Sequence, residues 1–182
     1  FVFIFVGRLV KDKGINEMIS AFELLQKENN SVKLLLVGDY ENDLDPLNPK
    51  TVESINTNSS ILAVGFKNDV RPYLAIANVL VFPSYREGFP NVVMQAGAMG
   101  LPSIVSDING CNEIIIEQEN GLIIPVKDEM AIFLAMKKMV TNSSLTSKMK
   151  DNSRQMIVSR YEQKVVWEAI LSEYRTFESL KE

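Results

Sequence analysis

Short apolar runs alternate along this chain with longer segments in which apolar residues recur every three or four positions. Runs with almost no polar interruption are typical of strands buried on both faces of a parallel sheet. We predict six such strands, at residues 1–6, 34–37, 61–64, 79–82, 103–106 and 121–125. Because helical segments separate them, the pattern predicts an α/β fold with a mainly parallel sheet and helices on both faces.

The clearest helical segment follows the first strand, where one apolar stripe at helical spacing contains Ile15, Met18, Ile19, Phe22 and Leu25. Further helices are expected at residues 51–55, 69–77, 91–100, 128–140, 144–159 and 162–177. Asp69 is the expected N-cap of its helix, since aspartate accepts well from the amides of a first turn.

Composition narrows the function classes. The 182 residues are 46% hydrophobic and 23% charged, which suits a single globular domain over residues 1–182. The net charge of −4 disfavours a general nucleic-acid binder, because such proteins need a basic face. With no histidine and with Cys111 as the only cysteine, a zinc site, a Ser-His-Asp triad and an internal disulfide are all excluded. No apolar run approaches the roughly 20 residues of a membrane helix.

Two turns at the ends of predicted strands carry candidate chemistry. The first turn, residues 7–14, reads Gly-Arg-Leu-Val-Lys-Asp-Lys-Gly and follows the first strand. Arg8 and Lys13 flank it, so both cations can reach the ligand edge of the sheet, which in such folds lies at the strand C-termini. Two solvated cations in a surface loop would explain the same residues.

The second turn, residues 84–90, leads from the fourth strand into a helix. Gly88 allows a tight turn close to a ligand, and Pro90 suits the start of a helix. Glu87 lies at the rim of this helix N-terminus, and Gln95, about one turn into the helix, reaches back towards the same rim.

The N–H groups of Phe89, Asn91 and Val92 would point out of this helix N-terminus. Such unpaired amides, together with the positive end of the helix dipole, favour a bound phosphate. A plain helix start is the alternative, since a carboxylate such as Glu87 also stabilises the dipole.

These two motifs carry a resemblance. G-R-L-x-x-x-K-G at residues 7–14 and E-G-F-P at residues 87–90 resemble the donor-binding half of retaining GT-B glycosyltransferases, especially family four. The fold implied is a Rossmann-like three-layer α/β/α sandwich with a six-stranded sheet, the C-terminal half of a GT-B protein. Family members have a second glutamate seven residues after the first, where this chain has Gln95.

The resemblance implies a role for each site residue. Arg8 and Lys13 would bind the donor diphosphate and, with Glu87 on the donor sugar, form the catalytic group. Further donor contacts are implied at Gly7, Gly38, Phe66, Gly88, Phe89, Pro90, Asn91 and Val92. Gln95 would hold the nucleotide ribose more weakly than a carboxylate, because an amide offers one acceptor oxygen.

The resemblance also implies the reaction and its partners. A UDP- or GDP-type nucleotide sugar would donate to a hydroxyl of a glycan or lipid-linked acceptor, with no metal and no other cofactor. We expect the chain to be a fragment whose N-terminal acceptor domain is missing, with the last helix, about 162–178, crossing to that domain. Alone it would bind nucleotide weakly and transfer nothing. Surface polysaccharide synthesis in the cytoplasm, with peripheral association at the inner membrane face, is the implied setting.

Two other functions stay open. A nucleotide-sugar 2-epimerase shares the GT-B architecture, and a non-catalytic nucleotide-sugar-binding module would tolerate Gln95. Among the remaining features, Asp43-Leu44-Asp45 spells a D-x-D metal motif but lies in a turn-rich loop, so we interpret it as no site. Glu113 is expected to be a structural cap. Cys111 is expected to fill space, although its place near the proposed site leaves reactivity open.

Overall fold

A computed structural model describes residues 1–41 and 43–179 of the chain. Its strands form one sheet of six parallel strands in the order β3-β2-β1-β4-β5-β6. They are β1 (Val2–Val6), β2 (Lys33–Val37), β3 (Ile61–Ala63), β4 (Val79–Phe82), β5 (Ser103–Ser106) and β6 (Gly121–Ile124). The predicted six-stranded parallel sheet is confirmed, with strand ends shifted by a residue at most.

The helices are α1 (Ile15–Glu28), α2 (Pro49–Thr57), α3 (Arg71–Ala75), α4 (Asn91–Ala98), α5 (Cys111–Ile114), α6 (Glu129–Thr141), α7 (Ser143–Tyr161) and α8 (Gln163–Ser179). A short 3-10 turn at Lys11–Lys13 precedes α1. Helix α1 packs against α2 and α6, whereas α4 packs against α5 and α7. This Rossmann-like α/β arrangement agrees with the predicted fold class.

Two predicted helices differ from the structure. The helix expected over residues 69–77 is only Arg71–Ala75, and Asp69 is not its N-cap. Instead Asp69 accepts the N–H of Arg71 at 3.0 Å and binds the guanidinium of the same residue. The helix expected at 51–55 extends over Pro49–Thr57, because Pro49 takes the first helical position, where proline costs no hydrogen bond.

The order in which the chain adds strands to the sheet reverses between β1 and β4. From this central pair the chain builds outward to β2 and β3 on one side and to β5 and β6 on the other. Phe5 and Phe82, at the ends of the two strands, stack with ring centroids 5.9 Å apart and are fully or almost fully buried. In sheets of this order, ligands bind in the crevice beyond the strand C-termini at the switch point, which here lies between the first and second turns.

Helix α8 contrasts with the buried core. It packs on α7 along part of its length, and its apolar side chains remain exposed, with Trp167 at 58%, Tyr174 at 65% and Phe177 at 57%. Over residues 1–41 and 43–179, the helices are too short or too polar for any of them to cross a bilayer.

Candidate functional site

The first and second turns are in direct backbone contact. The N–H of Tyr85 donates to the carbonyl of Asp12 at 2.8 Å. Gly14, with φ of 69°, lies so close to Pro83 that a Cβ at this position would collide with the proline carbonyl. Glycine is therefore required where α1 starts, because it permits both the left-handed backbone and the close approach.

The contact between the turns brings together two predicted site residues that are 74 positions apart. Lys13 Nζ donates to Glu87 Oε1 at 2.5 Å. The two side chains are only 14% and 17% exposed, so this ion pair is shielded from most of the solvent. The sequence motifs thus meet at the switch point between β1 and β4.

Cys111 is buried near this ion pair, and both charges act on its thiol. Burial raises the pKa of its thiol to about 12, and the charge of Glu87 raises it further while Lys13 opposes the shift. A buried thiol that stays protonated at neutral pH is a poor nucleophile. The structure therefore favours the space-filling interpretation of Cys111.

A cavity of about 340 Å³ lies where β1 and β2 end, at Gly7 and Gly38. It is lined by Val6, Gly7, Arg8, Val37, Gly38, Asp39, Phe66, Lys67 and Val70. A Cβ on Gly38 would collide with the carbonyl of Gly7, and Gly38 has φ of 145°. The backbones of Gly7 and Gly38 are therefore in direct contact where β1 and β2 end.

Phe66 stands at the opening of this cavity. It is 65% exposed, so it is not the core residue that its apolar side chain could have been. Its N–H donates to Asp39 Oδ1 at 2.9 Å, which fixes the loop after β3 against the end of β2. The structure thus brings Gly7, Arg8, Gly38 and Phe66 into the lining of one cavity.

Gln95 lies beside a second cavity of about 400 Å³, whose lining is Asn68, Asp69, Val70, Arg71, Gln95, Ala98 and Met99. Val70 lines both cavities, so they adjoin across the loop before α3. Hydrogen bonds from Arg71 hold the pKa of Asp69 down to about 2, so this carboxylate is charged at neutral pH. Gln95 lines this second cavity from the α4 side.

The second turn leads into α4 as expected. Pro90 is buried and precedes the first helical residue, Asn91, which is exposed. Gly88 and Phe89 are also exposed, whereas Val92 is half-buried. First-turn amides have no acceptor within their own helix, so this end of α4 can donate to an anion.

The loop after β5 supports the second turn from behind. A Cβ on Gly110 would collide with the carbonyl of Gly88. Glu113 Oε1 accepts the N–H of Gly110 at 3.2 Å, so the expected capping role of Glu113 is confirmed. Phe89 packs edge-on against Tyr161 of α7, with ring centroids 5.5 Å apart.

Several contacts were not foreseen from the sequence. Arg8 forms an ion pair with Glu41, and Arg86 Nε lies 3.6 Å from Asp12 Oδ2. Asp45 accepts the N–H of Asp12 at 2.6 Å and so braces the first turn. Within the described part of the chain, no three His, Cys, Asp or Glu side chains converge as metal ligands would. Glu41 and Asp45 lie in the loop between β2 and α2, whose sequence has no periodic pattern, so no sequence signal marks them as partners of the first turn.

Comparisons of sequence and of fold relate this chain to known proteins. The family described as Glycosyl transferases group 1 matches residues 1–156. The capsular polysaccharide biosynthesis glycosyltransferase CapM of Staphylococcus aureus is 32% identical over 97% of this chain and 46% of its own length. A UDP-Gal:alpha-D-GlcNAc-diphosphoundecaprenol alpha-1,3-galactosyltransferase of Escherichia coli is 34% identical over 88% of this chain and 42% of its own length.

Among solved structures, sucrose-phosphate synthase from Thermosynechococcus elongatus superposes with a TM-score of 0.81 at 26% identity, over 98% of this chain and 46% of that one. Anabaena HepE in complex with UDP has a TM-score of 0.84 at 19% identity, over 97% and 49% of the two chains. The chain thus spans about half the length of the curated relatives it matches. On the family match and these relatives, the chain belongs to the glycosyl transferases group 1 family and has the Rossmann-like fold of a GT-B half.

Proposed function

We propose that this chain is the donor-binding part of a retaining glycosyltransferase that moves a sugar from a nucleotide-diphosphate sugar to a hydroxyl acceptor. The observation that carries the proposal is the Lys13–Glu87 pair at 2.5 Å. It joins a cation suited to a diphosphate with a carboxylate suited to sugar hydroxyls, at the edge of the sheet where ligands bind.

Charge development explains the need for cations at this place. When the bond between the sugar C1 and the phosphate oxygen breaks, the nucleotide diphosphate leaves with added negative charge. Arg8 and Lys13 would stabilise that charge most in the transition state, and the amides of Asn91 and Val92 would add to this effect. The acceptor oxygen forms the new bond to C1, and its proton passes to the leaving phosphate.

The nucleoside would occupy the two adjoining cavities. Phe66 and the backbone around Gly38 border the first cavity, where an apolar face and carbonyl groups suit a flat base. Gln95 borders the second and would bind the ribose hydroxyls through its amide. Glu87, Gly88, Phe89 and the turn shaped by Pro90 would hold the sugar and its phosphate.

The names of similar proteins direct the choice of donor and acceptor. One relative is named for UDP-Gal and a diphosphoundecaprenol-linked GlcNAc, and HepE has been solved with UDP-glucose. By analogy we propose a UDP-type donor with GDP as the alternative, a glycan or lipid-linked acceptor, and a place in surface polysaccharide synthesis at the cytoplasmic membrane face.

A second half would complete the protein. We propose that the exposed apolar face of α8, with Trp167, Ile170 and Tyr174, packs against the acceptor-binding half of the same enzyme. The chain spans 46% of CapM, which leaves room for such a half in a protein of that length. Exposed apolar area of this extent on one helix indicates an interface.

The direct test is nucleotide binding to this chain, measured by calorimetry and by thermal denaturation with UDP, UMP, GDP, GMP and UDP-glucose. A ligand at 100 times its dissociation constant would stabilise the fold by about 2.7 kcal/mol. Lys13→Ala should weaken UDP binding about tenfold or more while changing UMP binding less, because Lys13 is assigned to the diphosphate.

Lys11→Ala is the matched control, since Lys11 is an exposed cation in the same turn. It should bind UDP as the wild type does. The proposal would be contradicted if no nucleotide changed the melting temperature of the wild type. Equal losses of UDP affinity in Lys13→Ala and Lys11→Ala would also contradict it.

A non-catalytic nucleotide-sugar-binding protein is the second candidate, and Gln95 is the residue that favours it. The two functions differ in one outcome. A transferase carrying this chain should release UDP from UDP-sugar in the presence of acceptor and lose that activity in Glu87→Ala, whereas a binding module should release none.

A further inference from the structure

We infer that Tyr161, the last residue of α7, is a positioning residue for the second turn, acting through Phe89 and α5. The inference rests on the proposed function, because it assigns the second turn to the sugar and the phosphate farther from the nucleoside. Tyr161 itself lies outside the two cavities and outside both sequence motifs.

The first contact is between aromatic rings. Phe89 is 41% exposed, and its ring meets that of Tyr161 in a T-shaped arrangement at an interplanar angle of 67°. Such edge-on pairs are favourable and directional, so they restrict where the Phe89 side chain can lie. Tyr161 thus supports the turn at the residue directly after Gly88.

The second contact passes through α5. Tyr161 Oη donates to the carbonyl of Glu113 at 3.0 Å. Arg160, its neighbour, donates to the same carbonyl at 3.0 Å and to that of Ile114 at 2.6 Å. Three hydrogen bonds from the end of α7 therefore hold the C-terminal carbonyls of this short helix.

The position of α5 in turn restricts where the backbone of the second turn can lie. Gly110 precedes α5 and presses so closely on the carbonyl of Gly88 that a Cβ would not fit between them. Gly88 has no side chain of its own to anchor it, and nothing lies within 4 Å of the place where its Cβ would be. Support from Gly110 and from Phe89 therefore fixes the backbone that carries Glu87.

The same residue connects the donor site with α8. Gln163, the first residue of α8, lies two positions after Tyr161, and the exposed apolar face of α8 begins with Val165 and Val166. Tyr161 thus lies between the second turn and the start of α8.

The test measures by calorimetry the dissociation constants of UDP and UMP for the full chain. If the chain binds GDP more tightly than UDP, GDP and GMP are used instead. Tyr161→Ala should raise the dissociation constant of UDP about tenfold and that of UMP less than about twofold, because only the diphosphate reaches the second turn. Tyr161→Phe keeps the ring contact and loses one hydrogen bond, so it should raise the UDP value about threefold.

Thr146→Val is the matched control. Thr146 Oγ1 donates to the carbonyl of Met139 at 2.7 Å, which is a hydroxyl-to-carbonyl bond at the other end of the same helix. This variant should lower stability as Tyr161→Phe does and leave the UDP-to-UMP ratio unchanged. A ratio unchanged in both Tyr161 variants would overturn the inference, and Tyr161→Phe supplies the answer if Tyr161→Ala fails to fold.

A double-mutant cycle adds a second measurement. Tyr161→Leu and Phe89→Leu, alone and together, should weaken UDP binding by less than the product of the single effects, because both act on the same turn. Fully multiplicative effects would contradict the connection. If the wild type binds no nucleotide, the proposed function fails first; if it binds and the ratio is insensitive to Tyr161, only the positioning role fails.

Discussion

The ammonium nitrogen of Lys13 lies 2.5 Å from a carboxylate oxygen of Glu87, although the two residues belong to different turns and are mostly buried. A charge in such a place is stable while its partner remains, because burial has removed much of its hydration. The pair therefore joins the first and second turns at the proposed donor site, and each charge depends on the other.

Removing one member of this pair should cost more than removing both. Lys13→Met and Glu87→Gln are each expected to lower the free energy of unfolding by about 2 kcal/mol, because each leaves a mostly buried charge without its partner. The double variant should recover part of the loss. Urea denaturation at neutral pH and low salt measures all three.

An exposed pair supplies the control. Lys148 Nζ lies 2.8 Å from Glu119 Oε1, with side chains 53% and 46% exposed. Lys148→Met should cost less than about 1 kcal/mol, since solvent screens such pairs. Equal losses at the two sites would show that burial of the Lys13–Glu87 pair has no energetic consequence.

Gln95→Glu should strengthen nucleotide binding. A carboxylate accepts from both ribose hydroxyls, so the change should lower the dissociation constant of UDP about tenfold. The gain should vanish with a 2′,3′-dideoxy nucleotide, which lacks those hydroxyls. Gln155→Glu, on the exposed face of α7, is the control for added charge alone. A Gln95→Glu chain that binds no more tightly would separate Gln95 from the ribose.

Gly38→Ala should damage the first cavity. A Cβ there meets the carbonyl of Gly7, and φ of 145° is unfavourable for an L-residue, so a loss of about 2 kcal/mol or more is expected. Gly100 also has a positive φ of 76° but has open space around it. Gly100→Ala should therefore cost only about 1 kcal/mol and leave nucleotide binding unchanged. Thermal denaturation and UDP titration of both variants separate the collision from the strain.

The arrangement of the two turns could be predicted from the sequence because it depends on strand order. Apolar runs identify the strands, and parallel strands that meet at a switch point bring Gly7 and Ser84 to the same edge. The approach of Lys13 to Glu87 then follows from the chain path. Motif residues at strand ends are the part of a site that local pattern can specify.

The contacts that depend on side-chain packing could not be predicted. Glu41 pairs with Arg8 from a polar loop that has no periodic pattern. Tyr161 and Phe89 are 72 positions apart in the sequence. They meet because α7 ends next to the second turn, which depends on how the helices pack. Asp69 is a residue type that often caps helices. Here its carboxylate accepts the N–H of Arg71, two residues on, which is a local turn contact that aspartate also favours.

Cys111 should react slowly in the folded chain. Its thiol is buried and its pKa is raised to about 12, so labelling by a disulfide reagent at pH 8 should be far slower than in urea. Rapid labelling of the native chain, at a rate close to that in urea, would contradict the burial.

The same shift predicts a dependence of stability on pH. A folded-state pKa above the unfolded one gives stability that is complete below about pH 9 and decreases as pH rises towards 12. Relative to Cys111→Ala, the wild type should therefore lose about 1.5 to 2 kcal/mol between pH 9 and pH 10.5. A constant difference between the two chains over this range would argue against the raised pKa.

The exposed face of α8 can be tested by one substitution made at two places. Ile157 on α7 is 6% exposed and packs on Gly97, whereas Ile170 on α8 is 48% exposed. Ile157→Ala should lower the free energy of unfolding of this chain by about 2 to 4 kcal/mol, and Ile170→Ala by less than about 1 kcal/mol. If α8 packs on an acceptor-binding half, Ile170→Ala should become several-fold more costly in a protein that contains both halves. Equal costs for Ile170→Ala in the two proteins would leave that face without a partner in the enzyme.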